Sequence, residues 1–329
     1  MRLEINLRVL CVKEKKITTV FSEKVNDLFQ SQLRDWELAG KNYSQLDKVL
    51  TRSIQFDGFE IIIQFNPERI RSSAAKLDAK SIEERPCFLC AENRPSGQRG
   101  IALEGGMTIL INPFPIFRKH LTISSEKHID QRIRNNFESM LVLAEALPDY
   151  LIFYNGPECG ASAPDHFHFQ SGNRGFMPIE NDFRDGCFTK MIYSGKGFRI
   201  WGWNRYLRTL LTLEGSDPAE LSHIFRHIFD NLSLIQPGKP EPMLNIVAYH
   251  ECGMWIIHIF PRKVHRPSQF FTEGRRQILL SPAAVDLGGV LITPREEDFN
   301  KLSADDIADI FVQVCLEEDD LPGLIKGLK

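Results

Sequence analysis

Two periodicities alternate along the chain. From about Ser22 to Ala39, Val25, Leu28, Phe29, Leu33 and Trp36 fall at helical spacing and predict an amphipathic helix. Ser53 to Phe65 then takes the two-residue period of a strand, interrupted by Asp57-Gly58, a strong hairpin signal. Met107–Ile111 and His120–Ser125 read as strands around the Pro-rich turn Asn112-Pro113-Phe114-Pro115. Ile129–Leu147 reads as a helix ended by Pro148, and Tyr150–Tyr154 and His166–Gln170 as strands flanking a small-residue loop. The later part repeats the theme. Phe198–Trp203 with Tyr206–Leu213 predicts a hairpin, and Pro218–Leu234 a helix. Leu244–His250 with Met254–Pro261 predicts another hairpin across Glu251-Cys252-Gly253, and Ser303 an N-cap for a last helix. The class is α+β, an antiparallel-rich sheet with flanking helices. Gln236-Pro237-Gly238-Lys239-Pro240 is the clearest linker. We therefore expect an N-terminal helical extension (1–50), a first half (51–235) and a second half (236–329), packed as one globular unit.

Composition narrows the function. With 43% hydrophobic and 25% charged residues in 329, the chain has the make-up of an ordinary globular protein with a large core. A net charge of −3 offers no general attraction to nucleic acid or to an acidic membrane surface. Neither is expected as a partner; small molecules held by local basic clusters are. No apolar run approaches the ~20 residues that span a bilayer. An N-terminus without a signal-like apolar stretch, and an odd count of seven cysteines, fit a reducing cytoplasm.

The chemistry concentrates in Asn155–Gln170. On a strand, His166, His168 and Gln170 share one face, and Phe167 and Phe169 the other. The Gly160-Ala161-Ser162 loop before them is small enough for backbone N–H groups to approach an anion closely. The bland alternative is a core strand with two incidental histidines. Upstream, Cys87-Phe88-Leu89-Cys90 lies in a loop between Pro86 and Asn93-Arg94-Pro95. It reads as a redox pair, as chance, or as half of a zinc site completed by His128 and His166. Two thiolates and two neutral imidazoles would neutralise Zn²⁺ in a closed tetrahedral site.

Cys87-Phe88-Leu89-Cys90-Ala91-Glu92-Asn93, the Asn112–Pro115 turn, His128 and His166-x-His168-x-Gln170 together resemble the galactose-1-phosphate uridylyltransferases of the histidine-triad superfamily. The loop-His-x-His-Phe-Gln string, Ser281-Pro282-Ala283-Ala284-Val285-Asp286-Leu287-Gly288-Gly289 and Arg295–Phe299 look most like the GDP-hexose phosphorylases, near the diadenosine-tetraphosphate phosphorylases. The resemblance spans about Phe65 to Leu316 and implies two histidine-triad-like halves. It implies structural zinc on Cys87, Cys90, His128 and His166, with His168 as the nucleophile that becomes a nucleotidyl-histidine. Gln170 would hold the phosphoryl oxygens, with Asn155 and Ser162 in the loop. Departures are visible. Ser162 stands four residues before His166, not three, with Asp165 inserted; Ile256 occupies a position where the family carries a second metal ligand. No second metal site is expected.

A histidine nucleophile on phosphorus divides one displacement into two and stores the nucleotidyl group between them. Positioned donors supply most of the catalysis, and Gln170, Ser162 and the backbone amides of Gly160 to Ser162 are the nearest candidates. Arg69 and Arg71, where the family places arginines near phosphates, and Arg262 and Lys263, at a strand end in the second half, are further candidates for substrate phosphates. His223 and His227 read as helix surface, and Trp201 and Trp203 as core or pocket wall. The expected activity is a nucleotidyltransferase or phosphorylase acting on a nucleoside diphosphate sugar or a dinucleotide, with phosphate or a sugar phosphate as acceptor. The alternatives are a hexose-1-phosphate uridylyltransferase and a zinc-stabilised nucleotide-binding protein without turnover. A homodimer is compatible with either.

Overall fold

The alternating segments pair into one broad antiparallel sheet, and the order in which they do so is repeated. The computed structural model describes residues 15–69, 82 and 84–328. Two N-terminal helices, α1 (Lys15–Asp35) and α2 (Glu37–Gln45), precede a hairpin of β1 (Leu50–Gln55) and β2 (Glu60–Phe65). A first repeat follows: β3 (Gly100–Leu103), β4 (Met107–Ile111), β5 (His120–Ser125), α3 (Phe137–Ala146), β6 (Tyr150–Asn155) and β7 (His168–Asn173). After α4 (Pro178–Asp185) the same series recurs as β8 (Thr189–Gly195), β9 (Phe198–Trp203), β10 (Leu211–Gly215), α5 (Pro218–Ile235), β11 (Leu244–Glu251) and β12 (Met254–Pro261). The sheet order is β3-β4-β5-β7-β6-β11-β12-β10-β9-β8, so each repeat is a meander whose last two strands exchange places. The repeats meet where β6 pairs antiparallel with β11, Asn155 opposite Asn245. The second repeat thus begins at Thr189, well before the 236–240 linker at which the sequence suggested a divide. That linker joins α5 to β11 inside the repeat, as the α3–β6 connection does in the first.

Each face of the sheet has its own core. Phe167, Phe169, Tyr154, Ile246 and Ile257 point to the helical side, where α1, α2, α3 and α5 cover them. Phe137 of α3 stacks on Phe225 of α5 with centroids 3.8 Å apart, and burying each ring stabilises the layer by about 1.5–3 kcal/mol. The opposite face carries Phe153, Val247, Tyr249, Ile256 and Phe260. It is covered by β1, β2 and β13 (Val290–Thr293), which pairs parallel with β2, and by α6 (Ala284–Leu287), α7 (Glu296–Lys301) and α8 (Ala304–Val314). No helix among the described residues is long and apolar enough to cross a membrane.

Three expectations shift for identifiable reasons. The N-terminal helix breaks at Trp36, whose backbone is extended and whose indole packs against Gly97. The segment 129–136 is not helical, because its groups are committed elsewhere: Gln131 and the Ile133 N–H bond to the site strands and to Glu241. Residues 204–208 loop out before β10, with positive φ at Arg205 and Leu207.

Candidate active site

Asn155 ends β6, His168 opens β7, and twelve residues connect them. The strand starts two residues later than its alternation suggests, because His166 is drawn aside. Its Nδ1 lies 3.3 Å from Cys87 Sγ and 3.5 Å from Cys90 Sγ, while Cys90 Sγ lies 3.2 Å from His128 Nδ1. All four ligand atoms fall within 4.8 Å of one another. A tetrahedral ion with bonds of about 2.0–2.3 Å sets its ligands ~3.5 Å apart, so this cluster could hold a metal ion.

Its surroundings are ordered. His166 Nε2–H donates to the Ser125 carbonyl at 2.8 Å, which fixes the tautomer that presents Nδ1 to the cysteines. Asn93 donates to Cys87 O, and Arg94 clasps Leu89 O with two nitrogens. Asp165 bonds Arg85 at 2.5 Å and sets its second oxygen 3.7 Å from His128 Nε2. Burial opposes the Cys87 thiolate, but the His166 imidazole and the Leu89 and Cys90 N–H groups outweigh it and hold the thiol near 6. Burial and then the adjacent Cys87 push Cys90 up to about 11. Without a cation the pair holds about one negative charge; a bound divalent ion would deprotonate both.

His168 is buried two residues beyond the cluster's His166 and is not among its donors. Its Nδ1 lies 2.9 Å from the His166 carbonyl, which can only accept, so Nδ1 carries the proton and Nε2 keeps its lone pair. Burial lowers its pKa to about 4, so the ring is neutral at physiological pH. Gln131 braces the strand ends: its Oε1 accepts from the His168 N–H, and its Nε2 donates to Asn155 O and His168 O. Gln170 lies on the same face as His168, with its Oε1 3.1 Å from His120 Nε2. Phe167 and Phe169 occupy the opposite core, their rings 5.0 Å apart edge to face.

The connecting loop is held from below. Asn155 Oδ1 accepts from Asn245 Nδ2 and from the Ala284 N–H, leaving its Nδ2 hydrogens without an acceptor among the described residues. Gly160 has φ +92°, and a Cβ there would stand 2.7 Å from Ala283 Cβ. Only glycine lets the loop lie this close to the Ser281–Leu287 segment. The N–H groups of Gly160, Ala161, Ser162 and Ala163 have no acceptor among the described residues, although Ala161 and Ala163 are buried. Buried backbone donors are normally paired, so this row of free amides could receive an anion.

The basic candidates fare differently. Arg262 is fully buried and spends its guanidinium on Val314 O, Asn245 Oδ1, Pro282 O, Val264 O and His265 O. It buttresses the loop from behind and has no donor left for a phosphate. Lys263 pairs with Glu317 on the surface. Arg69 closes the turn after β2, and Arg71 lies outside the described residues. Gln131, His120 and Asn245 escaped the sequence reading: each lies inside a segment whose pattern announces only helix or strand.

Comparison with known proteins bears on this geometry. A family model described as a domain of unknown function, DUF4922, matches residues 28–173, and one described as the GDPGP1-like C-terminal domain matches residues 185–324. The structure of yeast Ap4A phosphorylase Apa2 with Ap4A aligns at a TM-score of 0.57 and 15% identity, over 90% of this chain and 97% of that one. The chain shares the fold of that enzyme. The same yeast enzyme with AMP aligns at 0.55, with 15% identity over 88% of this chain and 97% of that one. A uridylyltransferase structure aligns at 0.35, with 12% identity over 73% and 83%. No curated protein sequence matches. The two family matches meet between β7 and β8, where the topological repeat turns over.

Proposed function

We propose that the protein is a nucleotidyltransferase of phosphorylase type, acting on a nucleoside diphosphate sugar or a dinucleoside polyphosphate through a nucleotidyl group carried on His168. The observation that carries this reading is the state of His168: neutral, proton pinned on Nδ1, and a lone pair left on Nε2, on a strand entered from a loop with a row of unpaired amides. Nε2 would attack the α-phosphorus, and the bond to the bridging oxygen would break, releasing a sugar 1-phosphate or a nucleoside polyphosphate. An oxygen of inorganic phosphate would then attack the same phosphorus, break the P–N bond and release a nucleoside diphosphate. The free amides from Gly160 to Ala163, Asn155 Nδ2, Ser162 and the Gln170 amide would take the charge that builds on the phosphoryl oxygens. The cysteine and histidine donor set fits zinc. When bound there, zinc would crosslink the Cys87 loop, His128 and the residue two before the nucleophile, a structural role. Similarity to a yeast enzyme solved with Ap4A and AMP supports a nucleotide as the donor.

The test is to incubate the protein with GDP-mannose, UDP-glucose and Ap4A in turn, without phosphate, and to weigh it intact. One donor should add a nucleoside monophosphate, mapped to His168, that phosphate then removes as a nucleoside diphosphate. Removal of a UMP adduct by a hexose 1-phosphate instead would make the protein a uridylyltransferase. The absence of any adduct, or an adduct on another residue, refutes the mechanism.

A further inference from the structure

Gln170 reaches the proposed site with one end of its amide anchored. A glutamine amide is a broad, two-fold rotor. Turned one way it offers two N–H donors to a phosphoryl group; turned the other it offers a repelling carbonyl oxygen. The fold decides between these through His120. The Ile116 N–H lies 3.2 Å from His120 Nδ1 and donates to it, so that nitrogen carries no proton. The neutral ring then has its proton on Nε2, which can only donate, and the atom it meets at 3.1 Å must be the Gln170 oxygen. The Gln170 NH2 therefore points onward, with no protein acceptor among the described residues. We infer that His120 is a positioning residue that locks Gln170 in its donor orientation and thereby sets the rate of nucleotidyl transfer. This rests on the proposed function above.

The ring that does this is itself immobilised. His120 is fully buried, with Phe117 5.2 Å away edge to face and Phe153 6.1 Å away. Its carbonyl accepts from Tyr43 OH at 2.9 Å. Gly172, opposite His120 in the sheet, leaves the space that Phe117 fills, since a Cβ there would fall 2.3 Å from the Phe117 ring. Phe117, Phe153, Gly172 and Tyr43 thus hold His120 in place beside Gln170.

Two substitutions separate positioning from packing. His120→Gln keeps a donor near the Nε2 position but loses the ring; His120→Phe keeps the ring but loses the donor. With the donor that labels wild type fastest, single-turnover adduct formation should stay within about threefold for His120→Gln. It should fall about 10–100-fold for His120→Phe at unchanged half-saturation, below the ~10²–10³-fold that one transition-state donor is worth. In a Gln170→Ala background, His120→Phe should then cost less than about twofold more, because residues acting as a unit are not additive. A fast His120→Phe, or losses that multiply in the double variant, overturns the inference. If wild type forms no adduct, the transfer mechanism itself has failed. If Gln170→Ala labels as fast as wild type, transfer stands and the Gln170 arrangement, with His120, falls.

Discussion

At the end of β6 the chain spends twelve residues reaching β7; at the matching place in the second repeat, Cys252 and Gly253 alone join β11 to β12. Both of those residues have positive φ, as the tight primed turn of a hairpin requires. The contrast extends to the histidines. His168 follows a loop of free amides and has no partner for Nε2 among the described residues, whereas His258, in the middle of β12, is sealed in the core. Trp203 Nε1 donates to Thr212 Oγ1, whose proton then goes to His258 Nδ1 at 2.8 Å. One topology, used twice, supplies an open site only where the inter-strand connection is long enough to build a cradle and the Cys87–Cys90 loop is there to anchor it. In the second repeat the same strand position became core, and Ile256 and His258 pack among Tyr249, Trp203 and Phe183.

The sharpest test of this asymmetry removes the proposed nucleophile. His168→Asn should lower turnover by roughly 10⁴-fold or more, since a covalent route loses its first bond. Metal content and Tm should change little, because His168 is not among the clustered donors. Turnover within tenfold of wild type would place the chemistry elsewhere.

The next effect falls on the anchor. Cys90 meets both His128 and His166, so Cys90→Ser should release most of the bound metal, measured by elemental analysis. A Tm lower by roughly 5–10 °C should accompany it, as metal binding and folding are coupled. Full metal retention in Cys90→Ser, or no metal in wild type prepared without chelator, would remove the anchor from the comparison.

How much of this was legible in the sequence depends on what kind of signal each feature leaves. Strands β4, β5, β9, β11 and β12 were readable because alternation and turn residues are local, and so was the Ser303 cap, whose Oγ accepts from the Asp306 N–H. The cluster of Cys87, Cys90, His128 and His166 was legible as residue types and as a family pattern. β13 was not: it pairs parallel with a strand more than two hundred residues earlier, and nothing local records such a partner. Arg262 misled because a basic residue at a strand end looks the same in sequence whether it faces a phosphate or five carbonyl and amide oxygens. Asp165 looked like a disruption of the loop, yet its carboxylate bridges Arg85 and the outer side of His128.

That bridge gives a smaller, more specific expectation. Asp165→Asn keeps the shape but removes the charge that orients His128, and outer partners of this kind are typically worth 10–100-fold in metal affinity. Chelator competition should show a loss in that range, with adduct formation restored when metal is in excess. Unchanged affinity would mean that Asp165 serves only Arg85.

The smallest effect on activity should come from the second repeat. His258→Phe should leave turnover at pH 7.5 within about twofold of wild type, because its ring lies in the core, away from the cradle. Its signature should appear in stability against pH. Burial, and secondarily the Arg174 cation, lower the His258 pKa from 6.5 to about 3. Between those values the unfolded chain binds a proton that the native chain does not, so stability falls as pH drops from 6.5 towards 3 and is flat above. At about 1.4 kcal/mol per pH unit, the stretch from pH 6 to 4.5 should cost wild type ~2 kcal/mol through this residue alone. Buried His168 and half-buried His265, both lowered to about 4, should add to the same slope. Denaturant unfolding of His258→Phe across that range should give a shallower acid limb, whatever its stability at pH 7.5. An acid limb as steep as that of wild type would mean that His258 is reached by protons in the native state, and the two halves would differ less than their geometry implies.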